Sequence, residues 1–147
     1  MKTNFKLLIL FISTFILLSC KVEPKPINYG DDHCHFCDMT VVDKTHAAEL
    51  TTKKGKSYVY DAIECMVNDL KQKNNEDKMA FILVANYDNP GDLIDAKSAT
   101  FLISKKIKSP MGAYLSAFSS KEIAEKYQND NGGELYSWTE LKSKLKQ

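Results

Sequence analysis

No apolar run in this 147-residue chain is long enough to cross a bilayer comfortably. Net charge is nearly absent too: 20 basic residues against 19 acidic leave +1. Without a basic field there is no electrostatic attraction for nucleic acid. The charges are interspersed rather than blocked, which describes an ordinary solvated surface. No Ser-His-Asp set, paired-carboxylate motif or phosphate loop is apparent from the sequence, so an enzyme reading has little support. There is no second Cys-x-x-Cys and no His-x3-His to complete a structural zinc site.

What is present begins with a leader. Lys2 and Lys6 precede an apolar run from Leu7 to Leu18, and the run ends in Leu17-Leu18-Ser19-Cys20. A positive start, a short apolar stretch and a small residue just before cysteine make the bacterial lipobox pattern. Cleavage after residue 19 would leave Cys20 as a lipid-bearing N-terminus, and several acyl chains hold firmly at about 0.8 kcal/mol per buried methylene. The reading is therefore a signal peptide at 1–19, a lipid-anchored tether at 20–33 that is polar and proline-containing, and one domain at 34–147. A mature chain of about 128 residues is long enough to bury a real core. Losing Lys2 and Lys6 turns its balance slightly acidic.

Of the four cysteines, Cys20 is assigned to lipid, which leaves Cys34, Cys37 and Cys65. An odd number in an exported protein means at least one thiol that is free, reactive or metal-bound. Two of them fall in "HCHFCDM", residues 33–39. In an extended segment Cys37 and Met39 would face the same side. Thiolate and thioether are soft donors that favour Cu(I) over hard cations. Met39 sits among polar residues, so core packing explains it poorly. Cys34 and Cys37 also form a Cys-x-x-Cys, open to a redox reading. His33 and His35 are accessory donors or solvated loop residues, and His46 reads as surface or strand edge. Met111 lies in "SPMGA", a Pro-Gly loop where methionine has little packing reason to be. Cys65 is a buried thiol, a disulfide partner or a further donor.

The rest of the chain reads as strands with two helices. Runs near 46–52 and 56–60 flank Lys54-Gly55 as a hairpin. Asp61 caps a helix in which Ile63, Met66, Val67 and Leu70 share a face. "KMAFILVANY" is a buried strand, and "DNPGDLIDAKS" is a loop broken by Pro90-Gly91. "ATFLIS" and "YLSAFS" form a second hairpin. Ser119 or Ser120 then caps a helix that ends at Gly132-Gly133, followed by strand "ELYSW" and a closing helical turn or two. Strand-strand-helix-strand thus occurs twice, which predicts an α+β fold of tandem ββαβ repeats in a single small domain.

"CHFCDMTVVDKTHAAELTTKKGKSYVYDAIECM" and "DLIDAKSATFLISKKIKSPMGAYLSAF" resemble the NosL family, the copper-binding accessory lipoproteins of nitrous oxide reductase. The resemblance rests on Cys37-x-Met39, the hairpin with Gly55 and Tyr60-Asp61, Asp95-Ala96 and Pro110-Met111-Gly112 in the family's order. It implies a fold similar to the organomercurial lyase's core. It also implies a Cu(I) metallochaperone facing the periplasm, with nitrous oxide reductase or its assembly factors as partners. Cys37 and Met39 would be the principal ligands and Met111 a third. Asp38 departs from the glycine that many members carry there. Two rival functions stay open: a thiol-disulfide protein using Cys34 and Cys37, and a copper-binding protein serving another respiratory system. Lys21 is not a retention signal for the inner membrane, which favours the outer one.

Overall fold

The computed structural model describes residues 21–145; the leader and Cys20 lie outside the described residues. The first hairpin joins β1 (Ala48–Thr52) to β2 (Ser57–Tyr60). Its turn needs a left-handed residue, and Gly55 supplies it at φ 81°. The register sets Ala48 opposite Tyr60 and Leu50 opposite Tyr58, so the alternation sends Ala48, Leu50 and Tyr60 into the core. Helix α1 (Ile63–Lys73) follows and buries Ile63, Met66, Val67 and Leu70, the face its spacing predicts. It stops at Asn74, which is left-handed. Asp61 does not cap it. The N-cap is Ala62, with no side-chain cap bond, and the Asp61 side chain turns inward.

Strand β3 (Met79–Ala85) returns beside β1 and is the longest in the sheet. The loop expected after it holds a further short strand, β4 (Leu93–Asp95), paired antiparallel to β3. The second half repeats the plan with β5 (Thr100–Ile103), β6 (Leu115–Phe118), α2 (Lys121–Asn131) and β7 (Glu134–Tyr136). The sheets run β2-β1-β3-β4 and β6-β5-β7. In each half the first hairpin strand is central, flanked antiparallel by its hairpin partner and by the strand after the helix. Helix α2 starts 58 positions after α1, and Ser120 caps it by accepting a hydrogen bond from the Ile123 amide. Helix α3 (Trp138–Lys144) closes the fold behind a Ser137–Glu140 capping box. The tandem ββαβ expectation holds.

The halves share a plan but not a weight. Helix α1 buries seven residues and α2 only Ala124, so most of the core belongs to the first half and to the strands that face it. His46, expected at the surface, is 3% exposed. Its Nδ1 lies 2.8 Å from Asp43 Oδ2 and its Nε2 lies 3.3 Å from Ser116 Oγ on β6. This chain of Ser, His and Asp is a strut between the halves. Ser116 is fully buried, so no substrate reaches its hydroxyl.

Gly133 is under a tighter constraint than any turn glycine. Its φ is 101°, and a Cβ there would meet the Ile103 carbonyl oxygen at 2.3 Å. Gly133→Ala is expected to destabilise the fold by about 3 kcal/mol, lowering Tm by roughly 10 °C. Thermal melts of the two proteins check this, and an unchanged Tm would show that the β5–β7 pair yields easily.

Candidate metal centre

The stretch 33–39 folds as a tight hairpin. His33 and Thr40 form an antiparallel bridge, the Cys34 amide donates to the Met39 carbonyl at 2.8 Å, and the Asp38 amide donates to the Cys34 carbonyl at 2.9 Å. Asp38 is left-handed at φ 63°. That explains why glycine suits this position, and aspartate is among the few other residues that tolerate it. The segment is therefore not extended, and the same-face argument for Cys37 and Met39 does not apply. Cys37 turns inward and is half-buried, while Met39 is 49% exposed.

Inside this hairpin three thiols and a carboxylate meet. One ligand atom each from Cys34, Cys37, Asp61 and Cys65 lies within 4.8 Å of every other. The hairpin supplies Cys34 and Cys37, the β2–α1 junction supplies Asp61, and the first turn of α1 supplies Cys65. None of the three is in a disulfide, and Cys34 and Cys65 are buried. Cys37 Sγ donates to Asp61 Oδ1 at 3.4 Å. Asp61 Oδ2 is buried with no hydrogen-bond partner, which is costly unless something positive completes it.

The thiols are not equivalent. The hydrogen bond from Cys65 holds Cys34 down to about 6, against its burial. Burial pushes Cys37 up to about 11. Cys65 is pushed upward too, chiefly by that same hydrogen bond with Cys34, then by its own burial. In the metal-free cluster negative charge is thus favoured at Cys34, held by the Cys65 thiol and by the backbone of Asp61 and Cys37. The spacing suits a metal: donors on bonds of about 2.3 Å lie about 4 Å apart in trigonal or tetrahedral arrangements.

The structure does not bring the histidines into this group. His33 Nδ1 lies 3.1 Å from the Asp38 carbonyl. His35 stacks on Tyr58 at 4.4 Å, and its Nε2 accepts from Lys73 Nζ at 3.0 Å. Desolvation and then Lys73 keep its pKa below the usual range, so the ring is neutral near pH 7. Met111 is 43% exposed. It lines a cavity of about 400 Å³ with Phe36, Glu64, Cys65 and Ala113. Buried Glu64 positions its loop: Glu64 Oε1 accepts from Ser109 Oγ at 2.6 Å and from the Ala113 amide at 3.2 Å. Asp61 and Glu64 escaped the sequence reading. Asp61 stands just before α1, in whose first turn Cys65 lies, and that proximity was the available signal.

The sequence model of the NosL family matches residues 26–146. A copper-binding lipoprotein NosL from Stutzerimonas stutzeri is 28% identical over 134 residues, covering 84% of this chain and 69% of that protein. The crystal structure of the copper chaperone NosL from Shewanella denitrificans is 22% identical and superposes with a TM-score of 0.71, over 82% of this chain and 96% of that one. The latter likeness establishes the fold. With a family match that spans both ββαβ halves and the cysteine hairpin, the chain belongs to the NosL family.

Proposed function

We propose that the chain is a lipid-anchored Cu(I) metallochaperone that helps mature nitrous oxide reductase. The observation that carries the metal reading is the convergence of three free thiols on one buried carboxylate. Three sulfurs make a soft donor set suited to monovalent copper. The relatives are named a copper-binding lipoprotein and a copper chaperone. The anchor rests on the lipobox and on the relative named a lipoprotein; the reductase as client rests on the resemblance.

In this reading Cys37 is the pivotal ligand, because it is the one thiol of the three that is not buried. Cys34 and Cys65 receive the ion from inside, with Asp61 balancing its charge. Met39 and Met111 offer thioethers at the exposed rim, where copper enters or a client's ligand arrives. A partner thiol can join before the first donors leave, so the ion is never free. The buried Cys34 argues against a dithiol catalyst, which needs its low-pKa sulfur exposed to substrate.

The methionines test this arrangement. Met39→Leu and Met111→Leu keep side-chain volume and should leave folding nearly intact. Each is expected to weaken Cu(I) binding about tenfold, and the double variant should lose little beyond the worse single one. Competition with a Cu(I) chelator measures affinity, and X-ray absorption counts sulfur neighbours. Unchanged affinity and sulfur count in Met111→Leu would confine the site to the thiol cluster.

A further inference from the structure

The turn of the β1–β2 hairpin is strongly basic. Lys53, Lys54 and Lys56 line one open groove with Lys78, Thr52, Tyr58 and Asp77. All four lysines are exposed, and Asp77 is the one acid among them. The Lys53 amide donates to the Lys78 carbonyl at 3.0 Å, so the two stretches form one surface.

The segment read as a tether is laid against the same sheet. Ile27 and Tyr29 pack on the core, and the Gly30 amide donates to the Val41 carbonyl at 2.9 Å. The ammonium of Lys44 stands over the Tyr29 ring. Further back, the Lys25 amide donates to Glu49 Oε1 at 3.0 Å. Tyr29 therefore lies near the approach to β1 and Lys25 beside its middle. The segment, followed towards the N-terminus, advances in the direction β1 runs, towards the lysine turn. The five residues from Lys25 back to Cys20 span at most about 17 Å. Lys53 follows β1 directly, four residues beyond Glu49. The attachment point is thus tethered within about 17 Å of Lys25, where the described chain heads towards the lysine turn. Asp61 and its cysteines lie past the other end of β2.

We propose that the Lys53–Lys54–Lys56–Lys78 surface rests on anionic phospholipid headgroups, holding the anchored domain in one orientation on the bilayer. This rests on the lipid-anchor reading. A lipid anchor alone would let the domain tumble and bring the cluster against the membrane. Lysines on the side towards which the anchored segment runs give the surface a charge match for phosphatidylglycerol or similar lipids, and salt weakens the contact.

The test uses the full mature lipoprotein in vesicles, either pure phosphatidylcholine or roughly three parts phosphatidylcholine to one of phosphatidylglycerol. An amine-reactive ester labels exposed lysines, and mass spectrometry reads each site. In the anionic vesicles labelling of Lys53, Lys54, Lys56 and Lys78 is expected to fall about threefold or more and to recover in high salt. Lys105 and Lys126 in the second half should not change. Uniform labelling of vesicle-bound protein in both lipids overturns the docking surface and leaves the anchor standing. Failure to partition into any vesicle overturns the anchor, and the docking surface with it.

Discussion

Replacing Cys37 by serine is expected to reduce Cu(I) affinity more than any other single change in the domain. Removing groups one step outside a metal's own ligands typically costs 10–100-fold in affinity, so loss of a thiolate that touches the ion should exceed about 100-fold. Two features single out Cys37. It is the accessible member of a buried trio, and its sulfur already holds Asp61 by hydrogen bond. The fold should survive, because the position is half-buried and serine can keep that bond. Wild type should take about one Cu(I) per chain under reducing conditions. Its affinity should rise with pH above neutrality: Cys37, held up to about 11, must lose a proton to bind, whereas Cys34, held down to about 6, has already done so. Chelator competition across a pH series measures both effects. Tight, stoichiometric binding by Cys37→Ser would remove Cys37 from the site.

The second large effect is expected outside the folded domain. Cys20→Ala should abolish incorporation of a fatty-acid label and release the protein from membranes. The apolar run at Leu7–Leu18 is short, so firm attachment depends on acyl chains worth about 0.8 kcal/mol per buried methylene. Fractionation together with labelling is decisive. An unlabelled variant that still sediments with membranes would make the apolar run itself the anchor, and the lipobox reading would fail.

The elements that could be read from sequence were those with a period or a punctuation mark. The apolar spacing of α1, the Gly55 turn and Ser120 before α2 are local features, and each appears where the spacing puts it. Strand β4 was missed because three residues after Pro90-Gly91 are too few to show alternation. His46 was misplaced because its burial depends on Ser116, 70 positions away. Asp61 misled for a sharper reason. Aspartate before a helix is the commonest kind of cap, and only the cysteine hairpin folded against it shows that its carboxylate serves the thiols instead. Cys37, Met39 and Met111 stand out as candidate donors by residue type and setting, and the resemblance points to the same three. The inward turn of Cys34 and Cys65 came from packing that no local pattern records.

The cluster also has a mechanical side. Its donors come from a hairpin near the N-terminus and from α1, with Cys34 and Cys65 31 positions apart. An ion bound across them would act as a removable cross-link, closing a loop in the way a disulfide does and lowering the entropy of the unfolded chain. Binding to the folded state alone stabilises it by RT ln(1 + L/Kd), which grows with the free copper concentration L. The carrier would be stiffest while loaded. Handing over its cargo would loosen the hairpin that bears Phe36 and Met39, so the empty protein would present a different face from the full one.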